Sequence, residues 1–406
     1  MHILLVADGR SPITIRWVKG LLASGMKVSF VSTYPCQPIH GAYLAAVLPV
    51  GFSGLAGSQI GSRSDQGATT AKKSRLSRLR PFLQWLRYTI APLTLPFYAR
   101  RFRQQVEELN PDLVHALRIP YEGMLAAYLP EDFTLLLSTW GNDLTLHARG
   151  SWLMRIFTRR ALRRTDGLTS DTHRDVHLAH EWGLDNQKPT LVVPGNGGVP
   201  LDEIEKCTTS AGKPTSDSLQ VINPRGFRPG SVHQDVFFQA IPRVLVKMPQ
   251  VHFFCPGMHN QPQALDWIER LGIQPNITLL PYLAQSELWQ LMLKSQVYVS
   301  ISSHDGTPNS LLEAMACGCL PVCGDMESIR EWITNGENGL LVDPHDPAAV
   351  AESILRGLQD DILRTQAKKT NQVIIRSRAD RRAVGGQIEK FYRQFIPDRQ
   401  KEKENG

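Results

Sequence analysis

The stretch VYVSISSHDGTPNSLLEAMACGCLPVCGDMESIREWITNGENGLLVD, Val297 to Asp343, restricts the fold more than any other part of the chain. It opens on a β-rich apolar run and passes through a polar loop containing Gly and Pro. It then enters an apolar helical segment, SLLEAMACG, and leaves on a short strand, LPVC. Strand, loop, helix and strand at this spacing predict a parallel α/β unit. Asp305 stands at the carboxyl end of the first strand, and Glu313 follows eight residues later inside the helix. Between them Gly306, Thr307, Pro308, Asn309 and Ser310 build the helix N-terminus. Ligands of open parallel sheets bind outside the carboxyl ends of the strands, and the first N–H groups of a helix are free to hold anions. Two carboxylates and an anion-binding backbone at one crevice suit a nucleotide sugar. The carboxylates accept from sugar and ribose hydroxyls, and the backbone donates to a diphosphate.

The α/β pattern begins at the first residues. HILLVA reads as a buried strand, Ser11-Pro12 as an N-cap followed by a first-turn proline, and KVSFVS as a second strand. The turn between lacks G-x-G-x-x-G, which argues against a dinucleotide site there. LVHA is a strand ending at His115, and TLLLSTW is one ending at Trp140, followed by the turn Gly141-Asn142-Asp143. Ser11, His115, Trp140 and Asp143 are therefore acceptor-side candidates, although for His115 or Asp143 alone a structural hydrogen bond is the commoner role. The pattern restarts at LQVIN and runs to a last helix near 378–396.

A chain of 406 residues is too long for one core. The reading is an N-terminal acceptor-binding domain at 1–204, a polar linker at 205–218 and a nucleotide-sugar domain at 219–377. Residues 378–406 form a helix crossing back toward the first domain, with a frayed tail. No internal repeat is visible. Cys36, Cys207, Cys255, Cys317, Cys319 and Cys323 follow no disulfide framework; the last three read as buried small residues rather than a metal site.

The formal charge of +7 suits an anionic partner. No apolar run is long enough to span a bilayer, and no secretory leader is visible, so the expected location is the cytoplasm. Residues 51–78 are rich in Gly, Ser and Ala and read as a mobile loop. The segment 73–104 interleaves Arg with Leu, Phe, Trp and Tyr and is broken by Pro81, Pro92 and Pro96. Two readings stand: contact with an anionic membrane at the inner face, or ordinary domain helices with solvated polar faces. No RNA module accompanies it, so a nucleic-acid partner is not expected.

Arg225 and Arg228 lie in the loop after the strand LQVIN. This loop falls beside that of Asp305 if the sheet is doubly wound, and a guanidinium there clamps a diphosphate through two oxygens at once. Asp-x-Asp is absent, in keeping with a site that uses no metal. P-loop, G-x-S-x-G and H-E-x-x-H motifs are absent too.

HDGTPNSLLEAMACGCLPVCGDMESIREWITNGENGLLV resembles the C-terminal signature of the retaining glycosyltransferases of family four, the group 1 glycosyl transferases of GT-B type. NPRGF, NGGV, STWGNDL and the N-terminal β-α-β unit resemble further parts of that pattern, so the resemblance covers most of the chain. It implies two Rossmann-like α/β domains whose parallel sheets face a cleft. It also implies that Asp305 and its loop contact donor sugar and diphosphate, that Glu313 holds the ribose, and that no metal or other cofactor takes part. Three positions depart from the pattern. Asp305 replaces the usual Glu, Val232 or His233 stands where relatives have Lys, and Trp140 stands where relatives often have His.

The resulting expectation is a hexosyltransferase that moves sugar from UDP-, GDP- or another nucleoside diphosphate to a hydroxyl of a glycan or lipid-linked acceptor. Arg225, Asp305 and Asp143 are the catalytic candidates, and Arg225, Arg228, Gly306 to Ser310 and Glu313 hold the donor. A nucleotide-sugar epimerase and a degenerate binding or assembly protein are the alternatives.

Overall fold

The computed structural model describes residues 1–55, 86–210, 219–228 and 230–396. The chain forms two compact units, Met1–Gly197 with Val384–Gly406, and Gly198–Ala383.

In the first unit the strands are β1 (His2–Ala7), β2 (Lys27–Ser32), β3 (Tyr43–Val47), β4 (Leu113–Ala116), β5 (Leu135–Thr139), β6 (Gly167–Ser170) and β7 (Thr190–Val192). They pair in parallel in the order β3-β2-β1-β4-β5-β6-β7. The inner strands are apolar without alternation because both faces are covered: Ile3 to Val6 and Leu135 to Leu137 are all inaccessible to solvent. The covering helices present one stripe each. Helix α1 (Pro12–Ala23) buries Thr14, Trp17, Val18 and Leu21. Helix α2 (Leu95–Leu109) buries Leu95, Ala99, Phe102 and Val106. Helices α3 (Trp152–Arg164) and α4 (His173–Trp182) follow, each capped by a hydroxyl, Ser151 and Thr172. At the end of β1 the chain passes so close to Cys36 that a Cβ on Gly9 would lie 2.5 Å from its sulfur.

The second unit begins with helix α5 (Leu201–Ser210) and has strands β8 (Gln220–Ile222), β9 (His252–Pro256), β10 (Ile277–Leu280), β11 (Val297–Ser300), β12 (Leu320–Gly324) and β13 (Leu340–Val342). The order is β10-β9-β8-β11-β12-β13, again all parallel. Its other longer helices are α6 (Gln234–Lys247), α7 (Pro262–Leu271), α8 (Gln285–Lys294), α9 (Asn309–Cys317), α10 (Pro347–Gln359) and α11 (Asp361–Arg378), with a single turn at Glu327–Arg330. Helix α12 (Arg381–Arg393) then carries the chain into the first unit at Val384. Among the described residues no helix is long and apolar enough to cross a membrane.

Two elements differ from the sequence reading. Strand β3, an edge strand with little alternation, is absent from that reading; Ala45 and Ala46 carry no β signature. Residues 205–210 of the expected linker belong to helix α5, because Ile204 packs into the same cluster as Trp289 and Met292 of α8. The remainder of that linker, most of the expected loop at 51–78, the part of 73–104 before residue 86, and the tail beyond residue 396 lie outside the described residues. Pro92 falls in a short 3-10 turn, Ala91–Thr94, and Pro96 in the first turn of α2.

Helix α12 docks by Val384, Ile388, Phe391 and Tyr392, which share a buried cluster with Ile3, Leu5 and Trp17. Fully burying each such side chain is worth about 1.5–3 kcal/mol. Tyr392 Oη accepts from Trp17 Nε1 at 3.2 Å and bonds His115 Nδ1 at 2.6 Å. Tyr392→Phe leaves both partners buried and unpaired, so it is expected to cost about 1–3 kcal/mol. The effect should be read as a lower urea midpoint for the first unit, with far-ultraviolet circular dichroism unchanged in buffer. A midpoint equal to that of the unaltered protein contradicts the assignment.

Candidate functional site

In the second unit the strand order reverses between β8 and β11. The register Val297↔Val221 and Tyr298↔Ile222 sets the loops after these two strands side by side. The first loop is pinned from within. Asn223 Nδ2 donates to Gln234 Oε1 at 2.8 Å, Gln234 Nε2 donates to the Gly226 carbonyl at 2.8 Å, and Asn223 Oδ1 accepts from the Arg225 N–H at 3.2 Å. It is also stitched to the second loop, through Ser303 N–H to the Ser231 carbonyl and His233 N–H to that of Ile301. A Cβ on Gly324, at the end of β12, would sit 2.3 Å from the Ser302 carbonyl oxygen, so only glycine fits that approach.

Arg225 is 8% exposed and forms an ion pair with the Asp305 carboxylate. Its Nε is buried with no hydrogen-bond partner among the described residues, so the guanidinium retains an unspent donor. The Asp305 loop is held by its own Oδ1, which accepts from Gly306 N–H at 3.0 Å, and by its carbonyl, which accepts from Ser328 Oγ at 3.0 Å. Thr307 Oγ1 accepts from Trp332 Nε1 at 2.9 Å. Pro308 occupies the cap of α9 with extended backbone and no side-chain bond, leaving the first N–H groups of that helix without intrahelical partners. Asn309 and Ser310 form its first turn, and Ser310 Oγ bonds Tyr298 Oη at 2.8 Å. Glu313 is 3% exposed and accepts at one oxygen from Gln285 Nε2 at 2.8 Å. Arg228 is exposed farther along the first loop. The structure thus brings Arg225 and Asp305 into contact and places Gly306 to Glu313 on the segment that continues from Asp305. Gln285, Ser328 and Trp332, which hold these groups, carry no local sequence signal.

The first unit reverses between β1 and β4. Of its expected site residues, two require correction. His115 is one residue short of the end of β4 and faces the core: Nδ1 bonds Tyr392, Nε2 bonds Ser138 Oγ at 2.9 Å, and burial lowers its pKa to about 3. A neutral, fully enclosed imidazole with both nitrogens engaged is structural. Asp143 is likewise fully buried and offers no free carboxylate. Its Oδ1 accepts from Arg118 at 2.5 Å, and its Oδ2 accepts from the N–H groups of Ile119 at 3.3 Å and Trp140 at 3.4 Å. It positions Arg118, whose side chain remains one-third exposed and whose guanidinium lies 5.9 Å from the Trp140 ring centre. Trp140 is half-buried, and Ser11 occupies the cap of α1 without making a side-chain cap bond.

Three groups at this edge escaped the sequence reading. Arg118 is the first. Asp8 and Arg10 form the second, a pair at 2.9 Å with the guanidinium stacked 3.8 Å over the Tyr34 ring. Glu122 is the third: its carboxylate accepts from Thr33 Oγ1 at 2.8 Å, and burial raises its pKa to about 7 against the partial opposition of Arg118. Glu122 follows Tyr121, which takes the left-handed φ of 66°. Burial also lowers His147 to about 4; its Nδ1 bonds Tyr88 Oη at 2.8 Å.

A carboxyl whose pKa is raised on folding binds its proton more tightly in the native state. Stability from Glu122 is therefore fully present below its unfolded value near 4.5 and is lost as pH rises through about 7. Glu122→Gln, a neutral isostere, should flatten the stability–pH curve between those limits, removing a slope that sums to about 3 kcal/mol. Urea titrations at stepped pH measure this, and an unchanged slope in the variant contradicts it.

Among the described residues no three His, Cys, Asp or Glu side chains group as a metal-ligand set. All six cysteines are free, with Cys317, Cys319 and Cys323 buried.

Two family models match the chain: a glycosyl transferase 4-like domain over residues 11–195 and glycosyl transferases group 1 over residues 227–360. Among curated proteins, O-antigen chain mannosyltransferase B of Escherichia coli is 37% identical over 95 residues, 23% of this chain and 22% of that protein. Phosphatidyl-myo-inositol mannosyltransferase of Mycobacterium tuberculosis is 26% identical over 220 residues, 53% of this chain and 57% of that protein. The matches thus span less than two thirds of either relative. Among solved structures, HepE of Anabaena in complex with UDP superposes over 97% of this chain and all of that one, with a TM-score of 0.67 and 16% identity. That protein has also been solved with UDP-glucose. At that identity the likeness shows the fold alone, a GT-B pair of parallel-sheet α/β domains.

Proposed function

The chain belongs to the group 1 glycosyltransferases, and on that premise we propose that it moves a hexosyl residue from a nucleoside diphosphate sugar to a hydroxyl of a glycan or lipid-linked acceptor, with retention at the anomeric carbon and without a metal. The observation that carries the reading is the grouping in the second unit: Arg225 with a buried, unspent Nε donor, paired to Asp305 on the loop that runs into the N-terminus of α9. Two mannosyltransferases among the relatives, and a like-folded protein solved with UDP-glucose, support a nucleotide-sugar donor.

In this reading the diphosphate lies against the first N–H groups of α9 and against Arg225, with Arg228 as a second, exposed cation. Asp305 accepts from hydroxyls of the donor sugar, and Glu313, oriented by Gln285, accepts from the ribose. The bond from the anomeric carbon to the phosphate oxygen breaks, and its electron pair stays on the nucleoside diphosphate. Arg225 and the helix amides stabilise the charge that grows there, the role of an electrostatic clamp. The acceptor oxygen bonds the same face of the anomeric carbon, and its proton passes to the departing phosphate, so no enzyme nucleophile is required. In the first unit, Arg118 held by Asp143, the Asp8–Arg10 pair and Trp140 are the groups proposed to receive the acceptor.

Incubation of the full chain with a panel of nucleotide sugars and candidate acceptors tests the reaction. Transfer should proceed undiminished in EDTA, and the product should keep the donor's anomeric configuration by proton NMR. Loss of activity in EDTA with recovery on Mg²⁺, or inversion, contradicts the mechanism. Glu313→Ala should weaken nucleoside diphosphate binding about ten- to a hundredfold, the value of a charge-assisted hydrogen bond. Calorimetric affinity equal to that of the unaltered protein contradicts the ribose assignment.

A further inference from the structure

We propose that the carboxyl-edge tip of the first unit, formed by Leu93, Phe97, Trp152 and Ile156 and flanked by arginines, docks on an anionic lipid bilayer. The apolar side chains are unusually open for their type: Leu93 is 58% exposed, Phe97 83%, Trp152 69% and Ile156 50%. They lie at the starts of two elements that pack against each other. Leu93 and Phe97 are one helical turn apart, as are Trp152 and Ile156. The short turn Ala91–Thr94 packs against α3, and Ser151 Oγ, immediately before Trp152, donates to the Tyr88 carbonyl at 2.6 Å.

The exposed charged residues on the first turns beside these side chains are arginines: Arg100 and Arg101 on α2, Arg155 and Arg159 on α3. Residues 86–106 contain four arginines and residues 148–164 six, with no Asp or Glu inside either segment; Arg103 pairs with Glu107 and Arg164 with Asp166 just beyond them. Along α2 the exposed stripe runs from Phe97 to Arg100 and Arg101, and along α3 it runs from Trp152 and Ile156 through Arg155 to Arg159. Each helix therefore presents an apolar first turn followed by guanidinium groups on the same face. Aromatic and aliphatic side chains gain by leaving water for the acyl boundary, while arginines reach the headgroup phosphates alongside. A nucleic acid would satisfy the arginines but give Leu93 and Ile156 nothing to enter, so a bilayer is the surface that uses both halves of the pattern.

Topology places this tip at the edge that carries the candidate acceptor groups. Helix α3 follows the carboxyl end of β5, and α2 precedes β4, so both helices begin at the carboxyl side of the parallel sheet. Tyr88, which Ser151 bonds, also bonds His147, and Tyr121 Oη donates to the Arg87 carbonyl at 2.6 Å. Docking would hold this edge at headgroup level, where a lipid-linked hydroxyl lies. That purpose rests on the transferase reading; the docking itself does not.

Co-sedimentation of the full chain with vesicles of phosphatidylcholine alone, and with phosphatidylglycerol added, tests the proposal. The protein should pellet with the anionic vesicles and far less with the neutral ones, and added salt should weaken binding. The pairs Phe97→Ser with Trp152→Ser, and Arg100→Gln with Arg101→Gln, should each reduce binding about tenfold or more, while far-ultraviolet circular dichroism and the urea midpoint of the first unit stay unchanged and report its fold. Equal recovery with and without vesicles overturns the proposal, as does unreduced vesicle binding by the Phe97–Trp152 pair. Capture of single-stranded RNA that falls with the arginine pair and not with the apolar pair, without vesicle binding, would assign the face to nucleic acid instead. Vesicle binding by a protein that transfers no sugar leaves the docking standing and removes the transferase reading.

Discussion

A parallel sheet whose strand order reverses cannot cover its own centre at the carboxyl edge. The crossovers on either side of the reversal leave in opposite directions, and the two loops that start there are left adjacent and open. Both units have this order, with β1 beside β4 and β8 beside β11. Most of the groups proposed for donor and acceptor lie on loops that start at these two points. In the second unit the two loops carry Arg225 and Asp305, and their pairing holds a guanidinium at the position where a diphosphate would lie against α9.

Burying such groups is costly unless they are paired, and both edges show how that cost is offset. Asp143 uses its oxygens on Arg118 and two backbone N–H groups, so it fixes the neighbouring cation. Glu122 is enclosed with one hydroxyl donor and remains protonated to about neutral pH. Glu313 keeps its place inside an apolar helix through Gln285.

Much of the fold was legible because parallel strands covered on both faces read as unbroken apolar runs, and because Ser, Pro and Gly punctuate the helix ends. Strand β3 was not, since an edge strand needs little apolar character. The placement of Asp305 and Glu313 was legible because they lie close in sequence on one strand–loop–helix unit, and that of Arg225 because it follows a strand. The first site was legible only as a location. Arg118 and Asp143 are twenty-five residues apart, and Glu122 meets Thr33 across eighty-nine. Nothing local in IPYEG signals a buried acid. His115 was misplaced because strand alternation, one residue before the end of β4, turns it toward Trp17 and Tyr392.

The central claim is that nucleoside diphosphate occupies the reversal of the second sheet. Amide hydrogen exchange of the full chain, with and without saturating nucleoside diphosphate, tests it most directly. The account predicts slowed exchange confined to the loop 223–233 and to residues 305–313. Protection absent from both segments while the nucleotide is bound, or concentrated in the first unit, would contradict it.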